Sequence, residues 1–267
     1  MKKYDFRAEE KVIKEAAYGA GKLILEGYNK DISYIYKGNK SLLTKTDKNA
    51  EKAVLHIIKK NFREYDIVSE ESKPTKNKSD YIWYIDPLDG TTNFAHKYPF
   101  FCVSIGLAYR GELILGAVYD PFRKEMFFAK RNYGAYLNNK RIMVSKVKTI
   151  DESLLLMGFP YDIKKNPHEN VPFFKEFLIK SQAVRRDGAA ALDICYVACG
   201  RVDGFFERKL FPWDVAAGLL ILKEAGGIST DMYGKYSTVN DQSVLATNGL
   251  IHKRMLNTLK KVIKNEK

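Results

Sequence analysis

Apolar residues recur at i, i+3 and i+4 near the start of the chain, at Val12, Ile13, Ala16, Ala20, Leu23 and Ile24. That spacing gathers them on one face and predicts an amphipathic helix over Arg7–Tyr28, with Gly27 as its stop signal. Residues 29–44 mix Asn, Lys, Asp, Gly and Ser with two tyrosines and read as a loop or hairpin outside the core. A second helical pattern begins at Thr46-Asp47 and continues through Ala53, Val54, Ile57, Ile58 and Phe62, with Asp47 as its N-cap. The period then changes. Lys73–Ser79 is a polar, Pro-containing loop, and Tyr81–Ile85, Phe101–Tyr109, Glu112–Tyr119 and Glu125–Ala129 read as strands. Arg110-Gly111 and Asn138-Asn139 are turn signals. Beyond them the predicted order is a strand at Leu154–Met157, helices at Glu169–Lys180 and Ala189–Cys199, and a strand at Gly204–Phe206. A helix at Val215–Ala225, a strand at Ser243–Ala246 and a helix at Ile251–Ile263 complete it.

Two helices and an antiparallel meander, followed by alternating helices and strands, predict an α+β protein of layered sheets and helices. The boundary between the two patterns falls near Arg141–Ile150 and divides the chain into an N-terminal subdomain, 1–145, and a C-terminal one, 146–267. A chain of 267 residues, 45% of them hydrophobic, can bury a substantial core. No early stretch is apolar enough for a signal peptide or a membrane span, so a cytoplasmic protein is expected. Three cysteines argue against a disulfide framework. Cys195 and Cys199 share a face of a predicted helix without further zinc ligands nearby, and read as buried small hydrophobes. The net charge of +13 favours anionic partners. The basic residues are spread, however, over Lys2, Lys3, the Lys73–Lys78 stretch, Arg185-Arg186 and Lys260, Lys261, Lys264 and Lys267. A lysine-rich solvated surface is therefore favoured over a dedicated nucleic-acid site.

The chemistry concentrates in Asp86-Pro87-Leu88-Asp89-Gly90-Thr91-Thr92-Asn93. Two carboxylates three residues apart, straight after an apolar strand, are a place to hold hard cations. A Gly-Thr-Thr turn opening a helix offers free backbone N–H groups to a phosphate. Metal and phosphate in one loop point to metal-assisted phosphoryl chemistry. An ordinary Asp-Pro turn is the alternative for this run taken alone.

Two further stretches change the picture. Ser69-Glu70-Glu71-Ser72 lies upstream, and Phe211-Pro212-Trp213-Asp214-Val215-Ala216-Ala217-Gly218 lies far downstream. With the central run, and with Gly188–Asp193, Gly200–Glu207 and Glu224–Gly227 in the same order, they cover nearly the whole chain. The sequence resembles the inositol monophosphatase family of magnesium-dependent, lithium-sensitive phosphatases, most closely its bacterial branch. The resemblance implies a five-layer αβαβα sandwich. Its first half holds an antiparallel sheet with helices, its second half a mixed sheet with helices, and the active site lies between them. A homodimer is also expected.

The resemblance further implies two to three Mg²⁺ ions per site. Glu70, Asp86 and the carbonyl of Leu88 would hold the first; Asp86, Asp89 and Asp214 would hold the second; Glu70 would hold a third, weaker ion by way of water. Oxygen donors without a thiolate or histidine cluster suit magnesium rather than zinc. Gly90 and Thr91 would present N–H groups to the phosphate. A metal-activated water is the expected nucleophile, oriented and deprotonated by Glu70 and the Thr91 hydroxyl, with Asp47 accepting a hydrogen bond from Thr91. Asp47 as a plain helix cap is the alternative. Asp214 would also position the water that protonates the leaving oxygen. Substrate contacts are expected from Asp89, Gly90, Thr91, Asp214, Glu207 and the Gly188-Ala189-Ala190 helix start. Arg185 or Arg186 would orient substrate, or form a structural ion pair instead.

Other residues receive plainer readings. Trp213 is expected to pack a helix start against the core. Glu71 is given no direct place at the metal, and His96 is read as surface or packing. His56, His168 and His252 are assigned nothing. Two positions depart from the family pattern: Ser69 stands where many relatives have glycine, and Ser41 where many have an acid. The expected substrate is a phosphate monoester, inositol 1-phosphate first. Relatives that also hydrolyse fructose 1,6-bisphosphate, and bacterial members that act as RNA-associated transcription factors, supply the alternatives.

Overall fold

The computed structural model of the chain describes residues 6–30, 32–36, 42–160 and 170–265. Ser41, His168 and Glu169 lie outside them. Helix α1 (Arg7–Tyr28) buries Val12, Ile13, Ala16, Ala20 and Ile24 on one face, as its periodicity predicts. Strands β1 (Tyr34–Tyr36) and β2 (Leu42–Thr44) pair antiparallel, so the segment predicted as a loop or hairpin contains a hairpin pairing. It is not wholly outside the core: β1 is exposed along its length, whereas β2 is buried at all three residues.

Helix α2 (Lys45–Asn61) follows at once, and its N-cap is Thr44 rather than Asp47. The Thr44 hydroxyl accepts from the N–H groups of Thr46 and Asp47 at 3.1 and 3.3 Å, while Asp47 Oδ2 accepts from the Thr44 N–H at 2.7 Å. This is a reciprocal capping box with Asp47 as its third helical residue.

Seven strands form the first large sheet. They are β3 (Asp66–Ser69), β4 (Tyr81–Asp89), β5 (Cys102–Tyr109), β6 (Glu112–Asp120), β7 (Glu125–Lys130), β8 (Gly134–Leu137) and β9 (Lys140–Arg141), side by side in chain order. Only β3 and β4 run parallel; the rest is the expected antiparallel meander. The short helix α3 (Thr91–Ala95) separates β4 from β5. Asn138 and Asn139, at φ 47° and 65°, close the two-residue turn between β8 and β9.

The second sheet is mixed. Its strands are β10 (Leu154–Met157), β11 (Ala183–Arg185), β12 (Gly204–Arg208), β13 (Ile228–Thr230) and β14 (Ser243–Thr247), in the order β11-β10-β12-β14-β13. Both pairings of β10 are parallel, and β14 is antiparallel to its two neighbours. The remaining helices are α4 (Val171–Lys180), α5 (Ala190–Ala198), α6 (Pro212–Glu224) and α7 (His252–Asn265).

The layers follow from which faces are apolar. Helices α1 and α2 cover one face of the seven-stranded sheet, α5 and α6 fill the space between the sheets, and α4 and α7 cover the outer face of the second sheet. Three hydrophobic clusters fill this αβαβα sandwich: one under α1 and α2, one around α5 and α6 that reaches both sheets, and one under α4 and α7. Helix α6 is buried without interruption from Val215 to Leu222, as a helix enclosed on all sides must be. Gly106 and Gly116, paired across β5 and β6, let it approach the sheet. A Cβ on Gly106 would lie 2.8 Å from the Ala216 Cβ, and one on Gly116 would lie 2.7 Å from the Ala217 carbonyl oxygen. Among the described residues no helix is long and apolar enough to cross a membrane.

Candidate active site

The apolar run of β4 continues through the acids: Asp86 and Asp89 lie within the strand instead of beyond it. Asp86 pairs with Ser104 of β5 and Asp89 with Cys102, so three steps along β4 match two along β5. The extra residue is a β-bulge. In a regular strand, residues three apart point to opposite faces; the bulge restores the alternation and turns both carboxylates to one side. Pro87 sits in the bulge, where a missing N–H costs no ladder bond. The Leu88 N–H bends back to Asp86 Oδ1 at 3.0 Å.

Gly90 then turns the chain into α3 with φ +89°. A side chain here would be strained by that angle and would bring a Cβ 2.9 Å from the Phe100 carbonyl oxygen. Thr91 follows, buried, with its hydroxyl 2.9 Å from Asp47 Oδ1 and 3.0 Å from the Leu88 carbonyl oxygen. A hydroxyl has one hydrogen, so these two acceptors compete for it. Asp47 thus serves both the helix box and Thr91, one oxygen to each.

The other acids arrive from separate elements. Glu70 stands just past β3, its N–H bonded to the Ile85 carbonyl at 3.2 Å. Helix α6 starts three residues before the predicted Val215, so Asp214 is its third residue. Its Oδ2 accepts from the Phe211 N–H at 2.7 Å. Pro212 takes the first helical position, where a missing N–H is harmless. Asp89 Oδ2 accepts from the Ala191 N–H in the first turn of α5 at 2.8 Å, tying the start of α5 to the bulge. Glu207, on β12, packs against Gly158 so closely that a Cβ there would overlap its carboxylate.

These groups converge on one cleft of about 410 Å³. Glu70, Asp86, Leu88, Asp89, Gly90, Thr91, Gly188, Ala190, Glu207 and Asp214 all line it. Ala189 does not; it is buried in the central cluster behind the helix start. Asp47 also stands behind the wall, fully buried, and reaches the cleft only through Thr91. One reading changes and one choice is decided. Trp213 does not simply pack on the core: it lines the cleft and stacks on the exposed Phe211, with ring centroids 4.9 Å apart and planes at 10°. Of the two arginines, Arg186 lines the cleft and Arg185 does not. Phe159, Pro160, Lys209 and Leu210 complete the lining and carried no sequence signal of their own. His252 is buried between the hydroxyls of Thr230 and Thr247, at 3.1 and 2.9 Å, and none of the three lines the cleft.

Electrostatics mark the cleft as a site for cations. Burial, then the charges of Glu70, Asp89 and Asp214, push the Asp86 carboxyl well above its usual range. Burial and Asp89 do the same to Asp214. Burial pushes Asp89 up to about 7 against the opposing Ala191 N–H, and Glu207 up to about 8 against the opposing charge of Arg186. Buried carboxylates that oppose one another's ionisation are relieved by a hard cation among them. Among the described residues, no three acidic, histidine or cysteine side chains close tightly enough to hold an ion alone. Magnesium does not require a closed protein cage, since it keeps several waters in its coordination sphere. The all-oxygen donor set fits such a hydrated ion.

The sequence model of the inositol monophosphatase family matches residues 7–264. An inositol-1-monophosphatase of Synechocystis is 42% identical over 257 residues, 96% of this chain and 90% of the relative. The Nus factor SuhB of Escherichia coli is 40% identical over 244 residues, 90% of this chain and 91% of that one. The solved inositol monophosphatase of Anabaena is 40% identical and superposes with a TM-score of 0.88, covering 97% of both chains. The chain belongs to the inositol monophosphatase family.

Proposed function

We propose that this protein is a magnesium-dependent phosphate monoester hydrolase acting on inositol 1-phosphate. The observation that carries the reading is the ring of Glu70, Asp86, Asp89 and Asp214 around a cleft floored by the Gly90–Thr91 turn. Glu70, Asp86 and the Leu88 carbonyl would hold one Mg²⁺; Asp86, Asp89 and Asp214 would hold a second. When bound, magnesium neutralises the phosphoryl oxygens, acidifies water and stabilises the departing alkoxide.

The chain's own residues supply binding, orientation and proton transfer. The N–H groups of Gly90 and Thr91 would receive the phosphate; α3 has only five residues, so local N–H donors matter more here than a helix dipole. When Asp47 accepts the Thr91 hydrogen, the hydroxyl oxygen remains as an acceptor that orients the attacking water. Glu70 takes that water's proton. Asp214 orients the water that gives its proton to the leaving oxygen. Glu207, Asp89 and the start of α5 face the substrate's hydroxyls.

Purified protein with Mg²⁺, assayed on inositol, sugar and nucleotide phosphates, tests the reading. Turnover of inositol 1-phosphate that disappears in chelator and returns with Mg²⁺ is expected. Full activity in excess chelator rejects the metal reading, and a preference for fructose 1,6-bisphosphate moves the substrate. The net charge of +13 and the similarity to SuhB support a second reading, an RNA-associated role. Salt-dependent RNA binding that survives Asp86→Asn would favour it.

The specificity arm has its own test. Glu207→Gln should lower kcat/KM for inositol 1-phosphate relative to glycerol 2-phosphate by about tenfold, the size of a lost hydrogen bond to a charged group. An unchanged ratio rejects the hydroxyl-binding role and leaves the metal site untouched.

A further inference from the structure

Helix α2 carries two buried acids one turn apart. Asp47 holds Thr91, and Glu51 follows four residues later on the same face. Glu51 is 6% exposed, and its two oxygens are divided between two serines. Oε1 accepts from the Ser69 hydroxyl at 2.6 Å, and Oε2 accepts from the Ser72 hydroxyl at 2.8 Å. These serines bracket Glu70 and Glu71. The chain between them has just left the sheet: the Glu70 N–H bond to Ile85 lies immediately beyond the last paired residue of β3, and an irregular polar segment follows to residue 79.

We infer that Glu51 is a positioning residue, a two-point clamp that fixes the Glu70 loop for its cation. The inference rests on the magnesium reading above. If α2 needed only to pack on β3, an apolar side chain would do so without removing a charge from water. A carboxylate adds direction. Short, charge-assisted bonds from two hydroxyls reinforce the end of β3 at Ser69 and extend the hold past the sheet to Ser72, so that Glu70 is fixed from both sides. Ser69 supplies the shorter of the two. Helix α2 then organises the site twice, setting the phosphate turn through Asp47 and the Glu70 loop through Glu51.

The test is Mn²⁺ binding to the substrate-free, full-length protein by calorimetry, with Glu70→Gln identifying which binding event belongs to Glu70. Ser69→Ala/Ser72→Ala and Glu51→Gln should each raise that Kd about tenfold, the size seen when partners behind a metal ligand are removed. At saturating Mg²⁺ the serine double variant should keep kcat within about twofold. Asp47→Asn should do the reverse, lowering kcat with Kd within about twofold. In a cycle, Glu51→Gln and Ser69→Ala should be non-additive. Should Glu51→Gln fail to fold, the serine variant alone decides. A Kd equal to wild type in the serine variant, even with a lower melting temperature, makes the clamp a structural support only and overturns the inference while the magnesium reading stands. A wild-type protein that binds no Mn²⁺ overturns both.

Discussion

Asp214→Asn will lose about 10³-fold in kcat and, in chelator, will melt at a higher temperature than wild type. The two effects have one origin. Asp214 is held above its usual ionisation range by burial and by Asp89, so the metal-free fold carries the cost of keeping or neutralising that group. Asparagine has nearly the same shape and can still offer an oxygen to the Phe211 N–H, so the cap on α6 survives. Removing the titration cost should stabilise the metal-free fold and raise its melting temperature. The same change removes a negative charge facing the cations that neutralise the phosphoryl group, a loss of several kcal/mol in the transition state. Asp86→Asn should behave alike, its amide oxygen still meeting the Leu88 N–H. A structural aspartate would show the opposite second effect, with stability falling. Wild-type kcat at saturating Mg²⁺, or a lower melting temperature in chelator, removes these residues from the proposed ligand set.

The fold was legible wherever burial is one-sided. Helix α1 shows its apolar stripe because one face meets the sheet, and the meander shows its strands because Gly and Asn mark the turns. Short pieces with few residues to carry a period were missed, among them β3, β11 and β13, each of three or four residues. The start of α6 was placed late because the reading began at the apolar Val215, whereas Pro212 and Asp214 are helix-start residues with a polar task. At Asp47, an acid before an apolar helix suits either the cap or the third position. Thr44, three residues earlier, is what decides between them.

The cleft was legible to a different depth on its two sides. The run from Asp86 to Thr91 is compact, so its acids and its glycine turn stand together in the sequence. The bulge that turns both acids one way is not visible there, because it depends on which β5 residue lies opposite. On the substrate side, Arg186, Lys209, Phe159 and Phe211 come from the three connections that leave β11, β12 and β10, brought together when those strands pair. Nothing in their local spacing links them. Arg185 and Arg186 were indistinguishable as neighbours, and the departure of the chain from β11 selects the second.

The metal-free protein will lose stability as pH rises from 5 to 9. Asp89 titrates near 7 and Glu207 near 8, and Asp86 and Asp214 are also raised, while an unfolded chain ionises such groups near 4. Between those limits the folded state binds more protons than the unfolded state, so unfolding becomes easier with each step up in pH. The stabilising protons are all present below about pH 4 and are lost as pH passes through 7 and 8. For Asp89 and Glu207 together the change is on the order of a few kcal/mol, after allowance for water in the cleft. Magnesium should cancel the slope, because cation binding takes the place of those protons, and the metal-induced rise in melting temperature should grow with pH. His252 works in the other direction, since burial lowers its pKa and its protonation penalises the fold in acid, so a control is needed. The Asp89→Asn/Asp214→Asn protein supplies it, keeping His252 while losing two of the raised acids. Urea melts in chelator at pH 5, 7 and 9 should show a downward slope in wild type that flattens in that variant. Equal slopes in the two proteins would mean that the cleft acids ionise freely without a cation, and would remove the electrostatic case for a metal between them.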